Sequence, residues 1–364
     1  MIVKSLKLNT FKNHEFREFS FSNGINCFVG SNGIGKTNIL DALHYLSVGK
    51  SFLGNTDQNN IMEGRDFFTL EAQVEDGEKE NIIRIQQPEN ARKIIKKNDK
   101  IYHRIADHIG FLPSVIISPY DQNLISDAAE SRRKFLDGMI SQTDSDYLYH
   151  LIKYQKAVKQ RNALLKSFAK NRYFDEDSLE IYTHVLETSG TVIYEKRKEF
   201  NKEFNPLVQK FYKAISQGKE EIQIIYKSDL EETTFPELLQ KNLENDRVLT
   251  YTSKGIHKDD LDFLMHQKLL RKTGSQGQQK TFLIGLKLAQ MHMIRKVTGK
   301  NPILLLDDIF DKLDDHRVTQ LVALVNEENF GQIFITDTHK ERTRDIVERM
   351  NAECKIFDLS ELIS

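Results

Sequence analysis

Eight consecutive residues, Gly30-Ser31-Asn32-Gly33-Ile34-Gly35-Lys36-Thr37, carry the spacing G-x-x-x-x-G-K-[ST]. Glycines so placed let successive backbone N–H groups curl around phosphate oxygens. The loop opens a helix, whose N-terminal dipole favours an anion. Lys36 is placed to reach the β- and γ-phosphates of ATP, and the Thr37 hydroxyl to ligate Mg²⁺. Far downstream, Pro302-Ile303-Leu304-Leu305-Leu306-Asp307-Asp308 is an apolar run ending in two carboxylates. Asp307 suits a Mg²⁺ ion or its water, and Asp308 suits polarising an attacking water. Taken alone, the run reads as a core strand followed by a helix-capping aspartate. A third group, Ser275-Gln276-Gly277-Gln278-Gln279-Lys280, sets a serine and a glycine at a helix start. That is an anion site or, taken alone, a routine cap.

These residues need elements to hold them. A strand pattern, Ile25–Val29, precedes the glycine loop, and a helical pattern, Asn38–Leu46, follows it. The helix predicted at Thr281–Lys296 and the strands at Pro302–Leu306 and Gln332–Thr336 frame the other two groups. The first third is β-rich. Phe16, Phe19 and Phe21 precede the turn Asn23-Gly24, and residues 67–102 read as a meander of hairpins broken at Asp76-Gly77, Pro88-Glu89-Asn90 and Asn98-Asp99. From 126 to 240 the texture is long, charged and helical, with Leu148, Leu151, Gln155, Val158, Asn162 and Leu165 as one helix stripe. Near Leu249 the pattern returns to strand. The expectation is an α/β head split between 1–125 and 246–364, with a helical lobe inserted at 126–245.

The 364 residues allow about two or three domains. Lys+Arg number 52 against 53 Asp+Glu, for a net charge of −1. Apolar residues make up 39% and charged residues 29%, and the mean hydropathy is −0.50. That composition excludes disorder, collagen and a disulfide scaffold. No apolar run approaches the roughly 20 residues of a membrane helix, and the start reads as a strand, not a signal peptide. Cys27 and Cys354 fit a reducing, cytoplasmic setting. The balanced charge excludes a uniformly basic coat protein but not a local basic surface.

Glycine loop, Ser-x-Gly-Gln helix and hydrophobic-Asp-Asp strand, in that order, form the constellation of ABC-type ATPases. There the Ser-x-Gly-Gln motif caps the γ-phosphate held by the other subunit. Asp311-Lys312-Leu313-Asp314 falls where such proteins carry a dimer-contact loop. Further segments narrow the resemblance: Gly49-Lys50-Ser51-Phe52, Arg132-Arg133-Lys134-Phe135-Leu136-Asp137, Tyr154–Leu165 and Gly255-Ile256-His257-Lys258-Asp259-Asp260. The chain resembles the bacterial RecF family of recombinational-repair ATPases over essentially its whole length. The resemblance implies a P-loop ABC-type head, related to SMC proteins, with an antiparallel β subdomain and a short helical lobe. It also implies an ATP-dependent homodimer, weak DNA-stimulated hydrolysis, and binding of duplex DNA and of gapped or single-stranded/duplex junctions. Expected partners are RecR, with RecO and RecA in the pathway, in repair, replication-fork maintenance and the SOS response. A second reading is a purely structural ATP-gated clamp in which hydrolysis is incidental. A transporter subunit does not fit, because the span from Lys36 to Ser275 holds a larger insertion than such subunits carry. A helical block of roughly 115 residues is too short for the coiled coil of an SMC protein.

Two departures stand out. Ile256-His257-Lys258 replaces the family's Pro-His-Arg, which keeps the charge and loses bidentate phosphate geometry. Asp308 stands where most ABC proteins use Glu, and its shorter arm fits a slow ATPase. His339 is the candidate γ-phosphate sensor after the last strand, with Asp337 as the alternative register. Gln122, after the strand Val115–Ser118, is a candidate Mg²⁺ contact or an exposed loop glutamine. Lys12 and Asn13 either border the adenine or form an exposed strand end.

For DNA, residues 150–172 contain Lys153, Lys156, Lys159, Arg161, Lys166, Lys170 and Arg172 and no acidic residue. That is enough for several phosphate contacts, or a solvated basic face. Arg92, Lys93, Lys96, Lys97 and Lys100 form a second cluster at a predicted hairpin, where lysines also block strand pairing. Neither stretch carries a base-reading motif, which favours backbone contact with duplex over a stacking groove.

Overall fold

The computed structural model describes residues 1–364 except 217, 219, 311–314, 329, 351–352 and 362–364, and except the side chains of 315 and 316. The chain opens with β1 (Ile2–Phe11), β2 (His14–Ser20), β3 (Ile25–Val29) and α1 (Lys36–Val48). β4 (Phe67–Asp76), β5 (Lys79–Pro88), β6 (Ile94–Lys97) and β7 (Lys100–Ile101) form the expected meander, and β8 (Ser114–Ile117) follows. Next come α2 (Asn123–Ser126), α3 (Ala129–Ser141), α4 (Ser145–Asn171), α5 (Glu176–Ser216), β9 (Ile222–Lys227) and α6 (Phe235–Leu249). The chain continues with β10 (Asp260–Met265), β11 (Lys268–Leu269), α7 (Leu270–Thr273), α8 (Gln276–Thr298) and β12 (Ile303–Asp307). It ends with α9 (Asp315–Glu328), β13 (Ile333–Asp337), α10 (Lys340–Arg349) and β14 (Cys354–Asp358).

Two compact units result. The first comprises 1–122, 210–219 and 280–364, and the second 123–209 and 220–279. Among the described residues the first unit holds an antiparallel sheet in the order β2-β1-β4-β5-β6-β7 and a parallel sheet in the order β14-β3-β13-β12-β8. β3, β12 and β13 are buried at every position. Such continuous apolar runs are what a sheet covered on both faces requires. Leu304, Leu305 and Leu306 are fully buried, each contributing about 1.5–3 kcal/mol. β4 alternates instead, because only one face of the antiparallel sheet meets the core. Among the described residues no helix is long and apolar enough to cross a membrane.

The second unit departs from the sequence expectation in three ways. It ends at Gln279, not 245, because β9, β10 and β11 form a small sheet whose β10 packs on α3. The expected all-helical block therefore contains a strand. The strand expected near Leu249 is helix α6, whose capping box at Thr234 and Glu237 and proline in the first turn start it at Phe235. The stripe on α4 is also shifted. Tyr154, Ala157 and Arg161 are buried with Leu148, Leu151 and Leu165, while Gln155 is exposed and Val158 and Asn162 are half-buried. Tyrosine and arginine carry polar ends into the interior, so an apolar-only pattern passes over them.

Candidate nucleotide site and nucleic-acid face

The glycine loop joins β3 to α1 through positive backbone angles: φ is 148° at Gly30, 83° at Gly33 and 106° at Gly35. A Cβ at Gly35 would lie 2.6 Å from His14 Nε2 and 2.7 Å from the Asn13 amide, so only glycine fits. His14 Nε2 donates to the Gly35 carbonyl at 3.1 Å, and Asn38 donates to Asn13 Oδ1 at 2.7 Å. Burial lowers the His14 pKa against that bond. Ser31, Asn32 and Gly33 are exposed, while Ile34 packs against the core. Lys36 is buried and donates to the carbonyls of Gly30 at 2.7 Å and Ser31 at 3.0 Å.

The loop meets the acidic strand across the sheet. Thr37 Oγ1 donates to Asp307 Oδ1 at 2.8 Å. Thr336, from β13, donates to the same oxygen at 2.9 Å and accepts the Asp308 N–H at 2.9 Å. Burial pushes the Asp307 carboxyl above the ordinary aspartate value, against the Thr37 and Thr336 hydrogen bonds and the Lys36 charge. Asp308 is half-buried and sits at φ 49°, the left-handed region that a non-glycine residue seldom adopts. No motif in the sequence points to Thr336. A threonine ending the apolar run Ile333-Phe334-Ile335 was the available signal.

This donor set fits Mg²⁺ and a nucleoside triphosphate. Mg²⁺ is held by one or two carboxylate or hydroxyl oxygens together with substrate phosphates. Thr37 and Asp307 supply such oxygens at the mouth of a glycine cradle that a Cβ at Gly35 would fill.

The other predicted residues fall as follows. Lys12 is drawn into a buried ion pair with Asp41, which also accepts Ser51 Oγ and the Phe52 N–H, each at 2.8 Å. It is therefore neither an exposed strand end nor a free cation, whereas Asn13 is exposed beside the loop. Gln122 closes a short 3-10 turn after β8. Its neighbour Asp121 pairs with Lys287 of α8 at 2.6 Å. Asp337 is buried and receives the His339 N–H at 3.0 Å, Thr343 Oγ1 at 2.9 Å and Arg342, so its carboxylate is engaged internally. His339 remains exposed at the N-cap of α10. Asp337 pairs in register with Val29, so the segment leaves the sheet alongside Gly30.

Ser275 and Gln278 belong to the second unit. The Ser275 N–H donates to Gln278 Oε1 at 2.8 Å and the Gln278 N–H donates to Ser275 Oγ at 3.2 Å, a reciprocal cap on α8. Gln278 also donates to Glu220 at 3.0 Å, so its side-chain amide serves the cap. Gly277 is half-buried in the first turn. Asp311–Asp314 lies outside the described residues.

On α4, Lys153, Lys156, Lys159, Lys166 and Lys170 are exposed. Arg161 is not. Its side chain is 1% exposed and pairs with the fully buried Asp246 at 2.6 Å and with Thr252 at 2.9 Å. It lies on the buried stripe with Tyr154 and Leu165, and its expected DNA contact is corrected accordingly. Lys93 is likewise withdrawn from the hairpin cluster, buried against Asp57 at 2.8 Å and the Gly49 carbonyl. Two segments that carried the resemblance bind each other inside the lobe. Arg132 grips Asp260 with two bonds of 2.7 and 3.0 Å, and Arg133 donates to the Asp259 carbonyl at 2.7 Å. Buried Arg197 links Asp137 at 2.7 Å, Asp259 at 3.0 Å and the Ile256 carbonyl at 2.8 Å. His257 accepts from Tyr154 at 2.8 Å and donates to the Thr252 carbonyl at 2.9 Å, and burial pushes its pKa down to about 4.

A family model described as an AAA domain matches residues 5–348. The DNA replication and repair protein RecF of Flavobacterium johnsoniae is 50% identical over 359 residues, covering 99% of this chain and all of that one. The chain belongs to the RecF family. The RecF of Phocaeicola vulgatus is 43% identical over 364 residues, covering 99% of this chain and 97% of that one. A solved structure of the recombination mediator protein RecF-ATP in the RecFOR pathway superposes with a TM-score of 0.87 at 30% identity, covering 98% of this chain and 96% of that one. An SMC head bound to a ScpA winged-helix domain shares the fold at 15% identity and a TM-score of 0.54. The expected ABC-type head, with its antiparallel and parallel sheets and helical region, is the RecF fold.

Proposed function

We propose that this chain is an ATP-gated DNA-binding protein of recombinational repair and replication-fork maintenance. The contact that carries the reading is Thr37–Asp307, which joins the glycine loop to the acidic strand across 270 residues. Lys36 turns from the Gly30 and Ser31 carbonyls to the β- and γ-phosphates of ATP, and the loop N–H groups hold their oxygens. Thr37 and Asp307 would hold Mg²⁺, with Gln122 as a further candidate contact, and the bound ion would neutralise phosphate charge. Asp308, fixed through Thr336, polarises the attacking water. Asn13 borders the adenine side of the loop, and His339 senses the γ-phosphate. Ser275, with Gly277 and Gln278 shaping its helix start, caps the γ-phosphate of a second copy. ATP thus drives dimerisation, and slow hydrolysis, stimulated weakly by DNA, releases the pair.

Lys153, Lys156, Lys159 and Lys166 contact backbone phosphates of duplex DNA near gaps. The RecFOR pathway named for the solved relative supports work with RecR and RecO, and action ahead of RecA, in the cytoplasm, completes the proposal. Fluorescence anisotropy of a labelled duplex tests the gating. ATP should tighten binding at least tenfold for the natural chain and leave Lys36→Ala unchanged. Equal affinity with and without ATP would contradict it.

A further inference from the structure

The turn between β1 and β2 lies along the start of α1. Lys12 meets Asp41, Asn13 meets Asn38 at 2.7 Å, and His14 meets Gly35 at 3.1 Å. Positions 35, 38 and 41 follow one another at intervals of three, so consecutive residues of the turn grip one side of the helix that the phosphate loop opens. The Lys12 end is an anchor. Its backbone sits in the left-handed region at φ 54°, its N–H donates to the Asn60 carbonyl at 2.9 Å, and its ammonium is spent on the buried Asp41. The His14 end is a single hydrogen bond. The Gly35 carbonyl accepts the Asn38 N–H at 3.0 Å and the Ile39 N–H at 3.2 Å from within α1, and His14 adds a third hydrogen from outside the helix. A carbonyl only accepts, so the hydrogen of the buried ring sits on Nε2. Burial, aided by the Arg17 and Lys12 charges and opposed by the Gly35 bond, lowers the His14 pKa from 6.5 and keeps the ring neutral at neutral pH.

We propose that His14 is a positioning residue for nucleotide binding, which by holding the Gly35 carbonyl aims the Lys36 N–H at the nucleotide's phosphates. A peptide unit is planar and trans, so the Gly35 C=O and the Lys36 N–H leave it in opposite directions. A carbonyl held towards His14 therefore turns that N–H away from the ring, at the N-terminus of α1, where an anion is favoured. Gly35 needs such a hold. It sits at φ 106° and has no side chain to steady its own peptide. Lys12 and Asp41 keep the turn in place, and the Asn13–Asn38 bond ties its middle to the helix. The inference deepens the ATP site proposed above and rests on it. It adds a residue from outside the glycine motif that acts through the backbone and not by touching the nucleotide.

The test uses the full chain and measures the affinity of fluorescent methylanthraniloyl analogues of ATP and ADP, steady-state ATP turnover, and thermal melting without nucleotide. His14→Phe keeps a flat ring and loses the donor, whereas His14→Gln keeps an N–H at similar reach. His14→Phe should weaken both nucleotides about tenfold, the loss of one hydrogen bond to a charged group. It should raise KM by the same factor and leave kcat within about twofold, because the N–H binds ground and transition states alike. His14→Gln should restore the affinity to within about twofold, and both variants should melt with the natural chain. Natural affinity in His14→Phe would overturn the proposal. So would a His14→Gln as weak as His14→Phe, which would make the ring's shape and not its hydrogen the cause. A His14→Phe that melts lower in step with its lost binding would reduce the contact to a structural one and overturn it as well. A natural chain that binds neither nucleotide would remove the ATP site itself, and the role of His14 with it.

Discussion

Asp307 in the first unit and Asp246 in the second are both buried carboxylates, yet their partners differ in kind. Asp246 takes the Arg161 guanidinium and the Ser253 N–H and hydroxyl. Asp307 takes two neutral hydroxyls, with Lys36 acting on it through its field. A carboxylate closed by a guanidinium within its own unit has completed its chemistry, and its role is architectural. One held by hydroxyls, with its pKa raised by burial, retains an unmet demand for positive charge that the proposed metal–nucleotide would satisfy. The same contrast separates Arg161, spent internally, from the exposed lysines on the same helix.

The largest effect belongs to the closed pair. Arg161→Ala strands Asp246 and should cost about 3–5 kcal/mol, read by denaturant unfolding. Arg161→Met combined with Asp246→Leu should recover most of that loss. If Arg161→Ala left stability intact and weakened DNA binding instead, the contrast would fail. Lys36→Ala should act the other way round, lowering ATP turnover by about 10²-fold or more while shifting stability by less than about 1 kcal/mol. Thr336→Val removes the hydroxyl that holds both acidic residues and should slow turnover about tenfold, with Thr336→Ser restoring it.

Acid sensitivity comes next. Burial pushes His44 down to about 3 and His257 to about 4, from an ordinary 6.5. The unfolded chain therefore takes up these protons first, and stability is lost as pH falls from 6.5 towards 4. Thermal melts across that range should show the slope, and His257→Gln should flatten it. Flat melts would place these rings in contact with solvent. The smallest effect should be on the exposed stripe. Lys159→Ala should leave stability within about 0.5 kcal/mol and reduce the salt slope of DNA binding by about one.

Much of the first unit was legible in the sequence because its elements are punctuated by glycine and acid at fixed spacing. β3 lies at the expected Ile25–Val29, and β12 and β13 lie one residue from expectation. Thr336 was not legible, since a strand threonine gains its role only from a register that pairs it with Phe28 on one side and Asp307 on the other. The second unit was harder for a related reason. Its interior is built from Arg161, Arg197, Tyr147 and Tyr154, whose polar ends are satisfied by residues distant in sequence. A hydropathy stripe counts such residues as surface, so it sets Arg161 among the DNA contacts and Gln155 in the core, the reverse of their burial.

Sedimentation of Asp308→Asn and Lys36→Ala with ATP, Mg²⁺ and duplex DNA tests the central claim most directly. Asp308→Asn, which keeps the phosphate cradle and loses the water-polarising carboxylate, should sediment as an ATP-dependent dimer that retains DNA. Lys36→Ala should remain a monomer. A monomeric Asp308→Asn, or a Lys36→Ala that dimerises on DNA, would contradict the account.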